Sequence, residues 1–268
     1  MIMVIMMSLV EVLALVYCTI FLLYGCYSDL KTRRVPNRVW IYMLPGGAAF
    51  FLFRLSSNFP EHLIVTLVLV AVVYLLAEII FYISQTILKF KLMGGADIKA
   101  LMMITFLFPT FHEFRVAGQV FPLLGLPPVP IFVLTVFNNA VILNGIIFPI
   151  LFIRNILHSG VREFLHHPHY FFLGYKTDIQ SLKHKRHVKL LEYYTEDESG
   201  VKPVFSKNGI EITEKLQSNL LRLSKKGLIE NEIWVTPVLP FFIPITLGLL
   251  TAALIGDILF WTVQHVMT

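Results

Sequence analysis

The chain has 268 residues, of which 56% are hydrophobic and only 15% charged, and its mean hydropathy is +0.73. An ordinary soluble domain, typically about 45–50% apolar and about 25% charged, is excluded on that ground, and a membrane protein is expected. In such a chain the net charge of +5 reads as basic residues gathered on one side of a bilayer, not as a nucleic-acid footprint.

A helix crosses the hydrocarbon in about 20 apolar residues. The candidate runs in chain order are Ile2–Tyr27, Val39–Leu55, Leu63–Leu88, Ile98–Phe121 with a break at Pro109, Val129–Ile153 and Val238–Val263. The expected fold class is therefore an all-α integral membrane protein of about six transmembrane helices, with a small cytoplasmic insertion before the last. Residues 1–153 form the membrane core, 154–235 a soluble segment and 236–268 the last helix. The first run lacks a basic start and a small-residue cleavage site, so it reads as a permanent helix and not as a signal peptide. Cys18 and Cys26 lie in that run. Eight helical residues put them about 12 Å apart, too far for a disulfide. No Cys-x-x-Cys pair is present, so a thiolate zinc site is not expected.

Loop charges give the orientation. The stretch Ser28–Arg38 carries Lys31, Arg33, Arg34 and Arg38, and Lys89–Lys99 carries Lys89, Lys91 and Lys99. Arg154–Val235 carries thirteen Lys or Arg, whereas the opposite side holds only Arg54 and Arg115. The basic side is expected to be cytoplasmic, with both termini outside. Within the soluble segment Ile212, Leu216, Leu220 and Leu223 recur at helical spacing. Lys225, Lys226 and Gly227 are a fitting C-terminal stop. No internal repeat of the kind that builds two-half transporters is seen.

Each short cytoplasmic loop carries one acid. Asp29 sits at the foot of the first run, in YGCYSDLKTRRVPNRVW, and Asp97 opens the fourth, in KLMGGADIKALM. Each has a structural reading. Asp97 suits a helix N-cap. Asp29, near a helix C-terminus where an anion is disfavoured, suits an ion pair with Lys31, Arg33 or Arg34. Together they admit a chemical reading. Two carboxylates that converge in a partly dry site share a proton. The ionised one takes a proton from water, and the protonated one donates to a carbonyl oxygen. Gly94 and Gly95 would let an extended substrate backbone come close.

Here the residues carry a family resemblance. Gly94-Gly95-Ala96-Asp97 resembles the second catalytic motif of GxGD-type aspartyl proteases, with alanine in the third position. The archaeal type IV prepilin and preflagellin peptidases look most similar. Asp29 is followed, after six residues, by Pro36 and Asn37, and Lys99 stands two residues past Asp97, as in that family. The stretch IWVTPVLPF resembles the family's approach to its last helix. The resemblance covers the membrane core and covers Arg154–Glu232 poorly. It implies a membrane aspartic endopeptidase with Asp29 and Asp97 as catalytic acids. Gly94, Gly95, Ala96, Lys99, Pro36 and Asn37 would serve the motif and the substrate's approach. It implies no metal and no cofactor. The partners implied are prepilin or preflagellin precursors and membrane lipid, with no nucleic acid. Such a precursor has a short basic leader before an apolar helix, so its scissile bond would lie at the inner membrane boundary. Glu196, Asp197 and Glu198 are candidates to offset the leader's charge. Bacterial relatives carry a tetracysteine loop between the first two spans; this chain has about eleven residues there and no cysteine. That departure implies peptidase without methyltransferase activity.

The remaining features take structural readings. Glu11 and Glu78 lie within spans, where ionisable residues are functional suspects. Glu11 is too far from Asp29 to join it, and Glu78 is expected to be a packing residue. Asp257 is expected to be solvated, and Asn138, Asn139 and Asn144 to bond to neighbouring helices. His166, His167, His169, His184 and His187 lack carboxylates at ligand spacing, and a basic segment beside anionic headgroups is the better reading. The rival class is an ion-coupled transporter or channel using Asp29, Asp97 and Glu78. A non-catalytic assembly factor is a third. Only a peptidase would shorten a tagged precursor.

Overall fold

The structure, a computed structural model, describes residues 2–57, 59–87, 93–185, 187–197, 200–238 and 240–267. Lys89, Lys91 and Glu198 and the side chains of Glu196 and Asp197, weighed above, lie outside the described residues. In chain order the helices and strands are α1 Ile2–Thr32, α2 Arg38–Ser57, α3 Glu61–Thr86, α4 Gly95–Leu107, β1 Phe114–Val116, β2 Gln119–Phe121, α5 Phe132–Gly145, α6 Ile147–His166, α7 Pro168–Leu173, β3 Tyr175–Asp178, β4 Val188–Asp197, β5 Gly200–Glu211, α8 Glu214–Lys225, β6 Glu232–Pro237, α9 Phe242–Leu254 and α10 Ile258–Met267. They fall into two compact units, one of residues 1–144 with 240–268 and one of residues 145–239.

Among the described residues four helical runs are long and apolar enough to cross a membrane: Met6–Thr32, Arg38–Ser56, Glu61–Thr86 and Phe132–His166. A fifth is the pair α9 and α10, bent by 64° at a short break. The chain is therefore a membrane protein by its helices. The expected fourth span is corrected. Its helix, α4, has 13 residues and stops at Leu107, two residues before Pro109, because a residue preceding proline is pushed out of the helical region. The chain then turns through the β1–β2 hairpin. A helix this short persists because it is enclosed. Ala100, Ile104 and Leu107 are fully buried, in one core with Ala14, Cys18 and Leu22 of α1, Met43 of α2, Val136 and Ala140 of α5, and Phe242, Ile245 and Leu249 of α9.

Polar knots fix this unit away from the acid-bearing loops. Arg54 and Glu11, both buried, form a two-pronged ion pair: Nε donates to Oε1 at 3.0 Å and Nη2 to Oε2 at 2.8 Å. Arg54 Nη1 also donates to the carbonyl of Leu107, so one guanidinium ties α1, α2 and the end of α4. The break between α9 and α10 has a local cause. Gly256 takes φ 121°, a region open to glycine. Asn139 Nδ2 donates to the Gly256 carbonyl at 2.8 Å, and its Oδ1 accepts from Ile258 N–H at 3.1 Å. Asp257 is buried, not solvated. Its Oδ2 accepts from Thr135 Oγ1 at 2.8 Å and from Asn138 Nδ2 at 3.5 Å, and its Oδ1 accepts from Phe260 N–H at 2.9 Å. Glu78 is exposed on α3, not packed. Cys18 and Cys26 are free thiols.

The second unit corrects the all-α expectation. It holds a four-stranded antiparallel sheet in the order β3-β6-β4-β5. Side chains alternate between its faces, as a pleated strand requires. Leu190, Ile233 and Val235 join Ile179, Leu182 and Leu220 on one side. Leu191 and Trp234 join Tyr170 and Phe171 on the other, against Phe152, Ile156 and Phe164 of α6. Helix α8 is the expected amphipathic helix, with Leu220 and Leu223 buried. Thr213 caps its start, accepting from Leu216 N–H at 3.2 Å. Gly227, at φ 70°, ends it.

Candidate active site

Asp29 lies in the last turn of α1, half-buried, and not in the loop beyond. The helix runs on to Thr32 because two hydroxyls complete its end. Ser28 Oγ donates to the Arg34 carbonyl at 2.8 Å, and Thr32 Oγ1 donates to the carbonyls of Ser28 and Arg34 at 2.9 and 3.0 Å. These bonds tie the last turn to the chain that follows, and Arg33 N–H donates to the Asp29 carbonyl at 2.8 Å, satisfying one of the orphan carbonyls. Arg33, at φ 56°, reverses the chain, and Pro36 and Asn37 open α2. Val39 N–H donates to the Pro36 carbonyl at 3.1 Å, and Trp40 N–H to that of Asn37 at 3.1 Å.

Asp97 also departs from expectation. The N-cap of α4 is Gly94, with extended φ −98° and ψ 163°, and Asp97 is at the third helical position. Its Oδ2 accepts from Gly94 N–H at 2.7 Å, the carboxylate half of a capping box. Ile98 N–H donates to the Gly94 carbonyl at 3.2 Å. Asp97 is buried and Gly95 exposed. A Cβ on Gly95 would meet nothing within 4 Å.

The two motif segments meet. Lys99 Nζ donates to Asn37 Oδ1 at 2.7 Å. The start of α2 is thereby fastened to the first turns of α4, and the Asp29 and Asp97 segments share one end of the helical unit. Of the expected residues, Asn37 bonds to Lys99 and Gly94 to Asp97, and Pro36 and Asn37 also line an open groove between α1 and α2. Arg38 lines it beside Asn37, and the remaining walls are apolar or aromatic, among them Ile20 and Tyr24 of α1 and Ile41 and Tyr42 of α2.

Sequence reading missed how α9 supports the site. Gly25 stands four residues before Asp29, and a Cβ there would lie 2.5 Å from the ring of Phe242. Only glycine allows the foot of α1 this close to α9. One residue on, Cys26 Sγ and Thr246 Oγ1 share a hydrogen bond at 3.1 Å. Trp40 also packs against Phe242, with ring centroids 6.2 Å apart. The one sequence signal was Gly25 itself, a small residue in an otherwise bulky run.

Two family profiles match the chain. One, described as the Type IV leader peptidase family, covers residues 16–150 and both acid-bearing motifs. The other, described as Archaeal Peptidase A24 C-terminus Type II, covers residues 166–258. Among similar proteins are the preflagellin peptidase of Methanococcus voltae, 27% identical over 243 residues that cover 88% of this chain and 92% of that one, and that of Methanocaldococcus jannaschii, 27% identical over 250 residues that cover 88% and 91%. The preflagellin peptidase of Methanococcus maripaludis is 24% identical over 241 residues, covering 88% and 92%. A match over half the chain that includes both motifs, with a second over the sheet-bearing unit, establishes that the chain belongs to the type IV leader peptidase family.

Proposed function

We propose that this peptidase is an aspartic endopeptidase that removes the short basic leader from preflagellin or type IV prepilin-like precursors at the cytoplasmic boundary of the plasma membrane. Asp29 and Asp97 are the catalytic acids. The observation that carries the reading is the Lys99–Asn37 hydrogen bond of 2.7 Å. It draws the segments bearing the two acids to one end of the helical unit, as a shared-water mechanism needs. The ionised carboxylate takes a proton from water while the protonated one donates to the scissile carbonyl. The resulting tetrahedral centre collapses as the leaving amine is protonated.

The groove between α1 and α2, apolar apart from Asn37 and Arg38 at its Pro36 end, supports the substrate class. A precursor's apolar helix lying along it would arrive at Pro36 and Asn37, with its leader beyond the membrane edge. Held this way, the peptide bond gains from proximity before any specific contact is made. The exposed Gly95, with open space around it, leaves room for an extended backbone beside Asp97.

The membrane arrangement proposed has six crossings, with α4 as the enclosed short crossing and the bent pair α9–α10 as the last. Both termini are outside. Arg54 does not weigh against this polarity, because Glu11 neutralises it in the interior. The rival transporter reading yields to the family match, and Glu78, one of its three acids, stands exposed on α3.

Incubating membranes that carry the chain with a tagged precursor tests the function. The expected result is a shorter product that persists with chelators and serine-protease reagents and disappears in Asp29→Asn. No product, or a chelator-sensitive activity restored by zinc, would overturn the aspartic assignment.

A further inference from the structure

We propose that the outward face of α6 seats the sheet-bearing unit on an anionic lipid surface. The opposite face of this helix is committed. Phe152, Ile156 and Phe164 pack into the core beneath the sheet. Between them Asn155, buried, donates from Nδ2 to the carbonyls of Phe171 at 2.9 Å and Gly174 at 2.6 Å. The helix therefore cannot rotate to hide its other side. That side exposes Leu157 at 82%, Val161 at 60% and Leu165 at 73%.

The sequence along this face has a regular form. Ile153-Arg154, Leu157-His158, Val161-Arg162 and Leu165-His166 repeat an apolar–basic pair every four residues. Each apolar residue is exposed, and so are Arg154 and Arg162, while His158 lies 3.5 Å from Glu232. Gly160, at φ 79° and ψ 169°, breaks α6 into two helical stretches, each held by its own packing, Phe152 and Ile156 before the break and Phe164 after it. An apolar stripe with a cationic border is the signature of a helix lying in the headgroup layer.

Two further observations favour anionic lipid as the occupant. The helical run Phe132–His166 has 35 residues, well beyond the roughly 20 that a crossing takes. Its end must leave the hydrocarbon, and the stripe begins where charges appear. Beside it, Arg154 and Lys185 both stand over the ring of Tyr175, 4.1 and 4.7 Å from its centroid. Two cations gathered on one aromatic ring make a local positive site. A lipid phosphate would relieve it.

The test uses the full chain, lacking Cys18 and Cys26, with Leu165→Cys carrying an environment-sensitive fluorophore. A Lys215→Cys label on α8 is the control. Both are placed in zwitterionic vesicles with and without an anionic lipid. In anionic vesicles the Leu165 label should be quenched by lipid-borne nitroxide and protected from aqueous iodide, and the Lys215 label should show the reverse. Arg154→Gln and Arg162→Gln should each reduce partitioning about fivefold, and high salt should do the same to the unsubstituted protein if the variants fold poorly. Three results would overturn the proposal. Free iodide access at Leu165 means the face stays in water. Shielding from both quenchers means a protein covers it. Equal lipid quenching with and without anionic lipid means the headgroup charge is not recognised.

Discussion

Lys99 donates its ammonium to Asn37 Oδ1 at 2.7 Å across 62 residues of sequence. Both side chains are exposed, so the bond contributes little to stability. Its consequence is positional: it sets the start of α2 against the turn that carries Asp97. Lys99→Met and Asn37→Ala should each leave the melting temperature nearly unchanged yet slow precursor cleavage by about ten- to a hundredfold, the scale of a misplaced catalytic geometry. The double variant should be no slower than the worse single one. Additive losses in a double-mutant cycle would mean that the two residues act separately.

At the other pole of the unit the same arithmetic reverses. Arg54 and Glu11 are buried and bonded through two prongs. Removing one partner of a buried pair strands the other charge and typically costs about 3–5 kcal/mol. Arg54→Met should therefore lower thermal stability in detergent sharply. Arg54→Met with Glu11→Leu should recover much of it, because no charge is left stranded. If the double variant melts as low as the single one, the ion pair's own energy, and not the stranded carboxylate, dominates.

How much of this was legible in the sequence depended on what each residue's signal competes with. The long helices were readable because α1 and α3 face outward over most of their length, and an apolar run of that size has few other fates. The Asp29 and Asp97 motifs and their shared end were readable from order and spacing. Two things were hidden. Helix α4 is short and enclosed by its neighbours, and enclosure is not written into a single segment. The sheet was hidden for a different reason. β4, with Tyr193-Tyr194, and β6, with Ile233-Trp234-Val235, do carry strand-type residues, but the three of β6 are all buried, because both faces of the sheet are covered there, so no alternation marks them. Their hydrophobicity is modest beside the membrane runs, and the helical period of Ile212 to Leu223 dominated the reading. Asp257 was taken for a solvated end because the Thr135 and Asn138 that satisfy it are about 120 residues away.

Glu192 supplies a pH prediction in the sheet-bearing unit. β4 pairs with β6 only as far as Leu190 opposite Val235, and beyond that Trp234 N–H donates to Glu192 Oε1 at 3.2 Å. Burial, the dominant cause, raises the carboxyl above its ordinary 4.5. The folded state thus holds this proton more tightly than the unfolded one. Stability from the group is fully present below the ordinary carboxylate range and is lost as pH rises through the raised value. Glutamine offers the same acceptor to Trp234 without the charge. Glu192→Gln should stabilise the unit at neutral pH and match the wild type in acid, read by hydrogen exchange of the Trp234 amide against pH. A variant that is less protected at neutral pH would show that the ionised form is the stabilising one.

The position of Asp97 separates its two roles. It accepts from Gly94 N–H at the third position of α4, so a structural duty is real. That duty needs one acceptor oxygen, and asparagine has one. Asp97→Asn should keep the helix start and the fold. As a general acid or base asparagine is useless, so cleavage should fall to background, as it should in Asp29→Asn. The double variant should be no worse than either single one, because the pair acts as a unit. Gly95 provides the complementary probe. A Cβ there meets nothing within 4 Å, and alanine inside a helix is favoured over glycine by up to about 1 kcal/mol. Gly95→Ala should thus fold at least as well as the wild type. Gly95→Leu should fold as well yet lose kcat/KM, since only an arriving substrate backbone meets the added bulk. The measurement is conversion of a tagged precursor in membranes at matched enzyme levels, beside a melting curve for each variant. If Asp97→Asn cleaves at the wild-type rate, the carboxylate serves the helix start alone. If Gly95→Leu cleaves normally, the substrate does not approach across the start of α4.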